Sequence, residues 1–106
     1  MNSTQQVADW IETGLAQKDV SESRIVYLDL LQGNYTACVL GLALIGKWHN
    51  STIAAHNFRE HQCPFEGENQ TLARLIGISG HLARALERLH YRRTATEIVG
   101  ILRHHH

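Results

Sequence analysis

The side chains that could do chemistry fall into two groups. The first is His49, His56, His61 and Cys63. Imidazole and thiolate are ligands that zinc accepts, four of them in a structural site. The spacing is poor, because His56 and His61 stand five apart and point in different directions on a straight helix. His56 with Glu60, and Asn57 with His61, would share a face instead. Cys63 has no C-x-x-C partner. His56, His61 and Cys63 are therefore weak metal candidates, expected to be loop-side polar residues, and neither metal nor cofactor is expected.

The second group is Arg74, His81, Arg84, Arg88, Arg92 and Arg93. They lie in or just after Leu72-Ala73-x-x-x-Gly77-Ile78-Ser79, with Leu82 and Leu86 following. A small residue on a first helix, a glycine at the turn and apolar contacts on a second helix resemble a helix-turn-helix. In that reading Gly80, His81, Arg84 and Arg88 face a major groove, while Arg74, Arg92 and Arg93 reach phosphates. The fit is imperfect, since such motifs favour a bulky aliphatic where Ala83 sits, and Leu82 comes one position early. The plain alternative is a helix-glycine-helix corner with a solvated arginine face.

A nucleophilic cysteine needs a nearby base and a third group to orient that base. Cys38 precedes an apolar run, where a helix N-terminus would lower its pKa and burial would raise it. The run around it indicates a small core cysteine. Cys63 and His61, two residues apart, cannot be assumed to meet. With neither a glycine-rich phosphate loop nor a convergent acid pair, the chain is expected to be non-enzymatic. Trp10, Tyr27, Tyr35, Trp48, Phe58 and Phe65 are expected mostly in the core, while Trp48 and His49, directly after the apolar run, and Phe65 could instead line a pocket or a dimer seam.

The element that must position these groups is the run Thr36–Lys47, whose residues Val39–Gly46 carry no polar side chain. A helix apolar on every side must be covered on every side, which places it centrally. Thr36 is the expected N-cap. Gly41, Ala43 and Gly46 lower its helix propensity, and the expected compensation is close approach of a neighbouring backbone.

Around it, Ser3 and Gln6 form a capping box for a first helix on Val7, Trp10, Ile11 and Leu15, reaching about Gln17. Lys18–Ser23 reads as a polar linker. Ile25–Leu31 has strand-like letters, and Gln32-Gly33-Asn34 could turn it back on Tyr35 and Thr36 as a hairpin within 25–36. Helix or irregular structure is preferred there, because an isolated hairpin is marginal. Asn50 or Ser51 caps a segment reaching about His61, and Cys63-Pro64-Phe65-Glu66-Gly67 breaks it. Asn69–Gly77 makes a helix, and Ser79 starts another with Leu82, Leu86 and Leu89 inward. A third starts at Thr94-x-x-Glu97, with Ile98, Ile101 and Leu102 buried. The expected fold is all-α: a single domain, residues 1–103, of five to six short helices round the apolar one.

At 106 residues the chain is long enough for one core of its own. With 43% hydrophobic residues, 19% charged and one proline it reads as globular. Its net charge is zero but unevenly placed: −3 over residues 1–35, −1 over 36–70 and +4 over 71–106. That asymmetry suits a nucleic-acid face or an acidic end meeting a basic one. Two cysteines and no basic-then-apolar leader suggest a cytoplasmic protein with reduced thiols. The apolar run is too short for a membrane span, so no membrane partner is expected. His104–His106 read as a tag remnant.

Ala37–Lys47 (A-C-V-L-G-L-A-L-I-G-K), His61-Gln62-Cys63-Pro64 and Ile78–Leu89 followed by Thr94–Leu102 (T-A-T-E-I-V-G-I-L) stand in this order along the chain. They resemble small uncharacterised helical proteins of prophages and other mobile elements, which carry an A-C-x-L-G segment and a later C-P. The similarity spans roughly residues 28–102 and departs in two places: Gly100 stands in place of a final aromatic, and no second cysteine follows Cys63. It implies a helical fold and a mobile-element origin. The functional expectation is a non-enzymatic binding protein, a homodimer whose twofold partner completes the cover of the central helix. The alternative is a helix-turn-helix DNA-binding regulator using residues 70–93.

Overall fold

A computed structural model describes residues 4–104. Helix α1 (Thr4–Leu15) is followed by three short strands, β1 (Val20–Glu22), β2 (Leu28–Leu31) and β3 (Asn34–Ala37). The apolar run then forms α2 (Val39–Trp48), and α3 (Ser51–Glu60), α4 (Glu68–Ile76), α5 (Gly80–His90) and α6 (Ala95–His104) complete the chain. The capping box expected at Ser3 lies outside the described residues. His104, expected to be tag, is the last residue of α6.

The fold is α+β, which corrects the all-α expectation. The three strands form a mixed sheet in the order β1-β3-β2, with β1 parallel and β2 antiparallel to β3. Gln32 and Gly33, both at positive φ, make the two-residue turn between β2 and β3, the sign pattern of a type I′ hairpin. A hairpin alone is marginal, and that argued against this one. It is not alone: the supposed linker supplies β1 as a third strand, and α1, α2 and α3 back the sheet. Leu28 and Ala37, opposite one another in register, are both buried. Because Thr36 is drawn into β3, Cys38 rather than Thr36 becomes the N-cap of α2.

Several helix ends follow the sequence closely. The Asn50 side chain accepts from the Ile53 N–H, and Ser79 from Leu82 N–H, each supplying an otherwise unpartnered first-turn amide. Thr94 and Glu97 bond reciprocally, side chain to backbone, at 3.0 and 3.2 Å. His49, at φ +52, is the left-handed residue that closes α2.

Every residue from Val39 to Gly46 is buried, and the cover comes from this chain alone. It depends on glycine. A Cβ on Gly46 would overlap the Trp10 carbonyl oxygen, and one on Gly14 the Leu42 carbonyl oxygen. Helices α1 and α2 therefore cross with backbone against backbone. A Cβ on Gly41 would strike the Tyr27 carbonyl, in the segment that crosses from β1 to β2. The close approach expected of the small residues is found at Gly41 and Gly46.

Gly46→Ala should cost about 3 kcal/mol or more, since a backbone carbonyl cannot swing aside as a side chain can. Gly100→Ala should instead raise stability by up to about 1 kcal/mol, because the site is helical and the added methyl meets open space. Urea unfolding of both variants beside the wild type checks the pair.

Candidate functional site

The corner between α4 and α5 is built from the residues that the sequence singled out. Gly77, at φ +90, ends α4, its N–H donating to the Ala73 carbonyl, and Ile78 N–H donates to the same oxygen. Lys47, at the end of α2, donates from Nζ to the Leu75 and Ile76 carbonyls at 2.7 and 3.3 Å. Its charge there complements the C-terminal dipole of α4. It also sits 5.6 Å from the centroid of the Trp10 ring, within cation–π reach.

Leu72, Ala73, Ile76, Ile78, Ala83 and Leu86 are the buried apolar residues of this corner. Ala83, not Leu82, takes the inward position on α5; Leu82 and Leu89 are only part-buried, a correction to the expected inward set. The register thus matches the helix-turn-helix spacing, with alanine in place of the bulky aliphatic.

The outer face of α5 carries His81, Arg84 and Arg88, all exposed, and exposed Arg92 follows one turn on. Among the described residues Arg84, Arg88 and Arg92 make no ion pair, and their four-residue spacing sets them in one stripe. Arg88 and Arg92 flank a shallow groove floored by Ala85 and Leu89. Two other arginines expected to reach phosphates are already engaged. Arg74 pairs with Glu66 at 2.8 Å and donates to the His61 carbonyl, and Arg93 approaches Glu97 at 3.8 Å. The hydrogen bonds from Arg74, then that from Thr71, hold the Glu66 carboxyl below its usual range.

The other predicted groups do not come together. His56 pairs with Glu60 at 3.1 Å, and His61 Nδ1 lies 2.8 Å from the Asn57 carbonyl, so each shares a face with the residue expected. Among the described residues no three His, Cys, Asp or Glu side chains converge as metal ligands. Trp48 and His49 close α2, while Phe65 lies 97% exposed between α3 and α4.

The inner face of α5 holds a cluster that the sequence reading missed. His90 is 2% exposed. Its Nδ1 lies 3.4 Å from the Val39 N–H at the start of α2, and Nε2 lies 2.6 Å from Glu22 Oε2. Since Val39 donates to Nδ1, Nε2 carries the proton and donates to Glu22. The same carboxylate oxygen accepts from Ala95 N–H at the start of α6. The signal was present, for Ala83, Leu86 and His90 fall on one helical face. Glu22 gave none, standing in an apparent linker.

Beside His90 a cavity of about 230 Å³ opens, lined among others by Arg24, Tyr27, Cys38 and Glu87. Burial, and then the Glu87 carboxylate, which takes the Tyr27 O–H at 3.2 Å, push the Tyr27 phenol up to about 12. Burial likewise pushes the Cys38 thiol up to about 11, against the pull of the Gly41 and Leu40 amides. At neutral pH this thiol is protonated and inert as a nucleophile.

Comparison with protein-family models, curated proteins and solved structures returns no match.

At pH 8 a thiol reagent should titrate one cysteine per folded chain, exposed Cys63, and reach buried Cys38 only after denaturant is added. The raised Cys38 value also fixes a pH dependence. The unfolded thiol loses its proton first, near its ordinary value of 9, so the contribution is complete below that and lost toward pH 11. Between pH 8 and about 10.5 Cys38→Ala should therefore lose about 2 kcal/mol less stability than wild type in urea unfolding.

Proposed function

We infer that this chain is a non-enzymatic nucleic-acid-binding protein that presents the outer face of α5 to phosphodiester backbone. The observation that carries this reading is the stripe Arg84–Arg88–Arg92, exposed and without ion pairs, on the second helix of a helix-glycine-helix corner and the turn that follows it. Guanidinium groups match phosphate geometry and stay charged at any physiological pH. Burial of Ala83 and Leu86 adds support, because it turns His81, Arg84 and Arg88 outward together.

Neutral net charge weighs less against this reading than composition alone suggests. Asp9 and Glu12 pair with Arg103 and Glu66 pairs with Arg74, so none of these carboxylates neutralises Arg84, Arg88 or Arg92. Two grounds for a homodimer weaken, while exposed Trp48 and Phe65 stay available to an interface. The central helix is covered within one chain, and the acidic first third meets the basic last third at Arg103. No described helix is long and apolar enough to cross a membrane. A cytoplasmic place of action goes with the reading, since two free cysteines suit a reducing compartment.

Fluorescence anisotropy of a labelled generic duplex, read against salt, tests it. Binding should be micromolar at roughly 50 mM salt, with a log–log slope of about −3 for three phosphate contacts. Arg84→Ala, Arg88→Ala and Arg92→Ala should each flatten the slope by about 1. Arg74→Ala, whose guanidinium is held by Glu66, should leave it unchanged. No binding at roughly 20 mM salt, where phosphate contacts are strongest, would overturn the reading. So would equal losses from Arg74→Ala and Arg88→Ala.

A further inference from the structure

The cavity on the inner side of α5 has a composition that the arginine stripe does not explain. Arg24 and Glu87 both line its 230 Å³, yet no ion pair joins them. Arg24 is anchored through Nε, which donates to the His90 carbonyl. Glu87 is anchored through Oε2, which accepts from the Tyr27 phenol. Each charged group is thus fixed from behind by one atom, and opposite charges share a small space without neutralising one another.

The floor is apolar in character. Val39 offers methyl groups, and the Cys38 thiol, kept protonated by burial, behaves as a small hydrophobe. His90 also lines this floor, but both of its ring nitrogens are occupied, by Val39 N–H and by Glu22. At the rim stand Tyr91, 65% exposed, and Ile25, 89% exposed. A lone anion here would meet the Glu87 carboxylate, and a lone cation would meet the Arg24 guanidinium. A ligand bearing both charges a few bonds apart meets each with its opposite.

We propose that this cavity binds a small zwitterion, a free α-amino acid with a short aliphatic side chain. Its carboxylate lies on the Arg24 guanidinium, its ammonium on Glu87 beside the tyrosines, and its side chain on the Cys38–Val39 floor. Carboxylate on guanidinium is a charge-assisted, fork-shaped pairing, and an ammonium near tyrosine rings gains cation–π attraction. The size agrees, since drug-sized ligands need cavities of roughly 300–1,000 Å³ and this one is smaller. The site is separate from the arginine stripe, and neither proposal depends on the other.

Isothermal titration of the whole protein with each of the common amino acids, followed by blocked derivatives of the best binder, tests this. A short aliphatic amino acid should bind with a Kd between about 10 μM and 1 mM. N-acetylation and C-terminal amidation should each weaken binding at least about ten-fold, as should Arg24→Gln and Glu87→Gln. Where a variant fails to fold, the two blocked ligands carry the discrimination on wild-type protein. Absence of binding by every free amino acid at about 10 mM would overturn the proposal. Equal binding of free and blocked forms would do the same.

Discussion

The rest of the structure depends on the backbone-to-backbone crossing of α1 and α2. Gly14 receives the Leu42 carbonyl and Gly46 the Trp10 carbonyl, so neither helix presents a side chain at the crossing. Glycine inside a helix lowers propensity by roughly 1 kcal/mol, and here that cost is set against dense packing of an all-apolar element. Closeness at this crossing leaves room on the other sides of α2 for β3, α3, α4 and α5. Gly41 repeats the device against the segment between β1 and β2, whose Tyr27 carbonyl also accepts the Cys38 N–H. One short helix thereby fixes the sheet, the α4–α5 corner and the floor of the cavity.

The parts of the fold legible in the sequence are those fixed by local chemistry. Asn50, Ser79 and Thr94 with Glu97 cap helices because their side-chain oxygens reach amides two or three residues on, whatever the tertiary context. The apolar run announces its own burial. The sheet was not legible, because its deciding partner is β1, three residues of mostly polar character that pair directly with β3 although β2 comes between them in the sequence. Nothing local in Val20–Glu22 distinguishes such a strand from a linker. The candidate sites divide in the same way. The arginine stripe could be read from four-residue spacing, whereas the His90–Glu22 bond joins residues brought together only by the folded chain. Which arginines remain unpaired was equally hidden, since Arg74 depends on Glu66 in the turn before α4.

Helix α5 is amphipathic in a stricter sense than its leucines suggest. Its inward positions are Ala83, Leu86 and His90, its outward positions His81, Arg84 and Arg88, and Glu87 stands between them at the cavity. The one carboxylate of this helix points to the Tyr27 phenol instead of toward the neighbouring arginines. Had it paired with Arg84 or Arg88, the stripe would be partly neutralised and the cavity would lose its negative wall. A single side-chain orientation thus keeps positive charge on one side of the helix and negative charge on the other.

The His90–Glu22 contact explains how so polar a group is tolerated against an apolar core. A buried histidine without partners would incur the full desolvation cost of two ring nitrogens. Here one nitrogen takes up the first amide of α2, and the other meets a carboxylate that also caps α6. Two helix N-termini, each with positive dipole character, converge on one imidazole–carboxylate pair, which suits the negative charge of Glu22. The pair therefore connects β1, α2, α5 and α6, and gives partners to the buried His90 ring and to the Val39 and Ala95 amides. Replacing the pair by apolar residues would leave the Val39 and Ala95 amides without acceptors, so packing alone could not substitute for it.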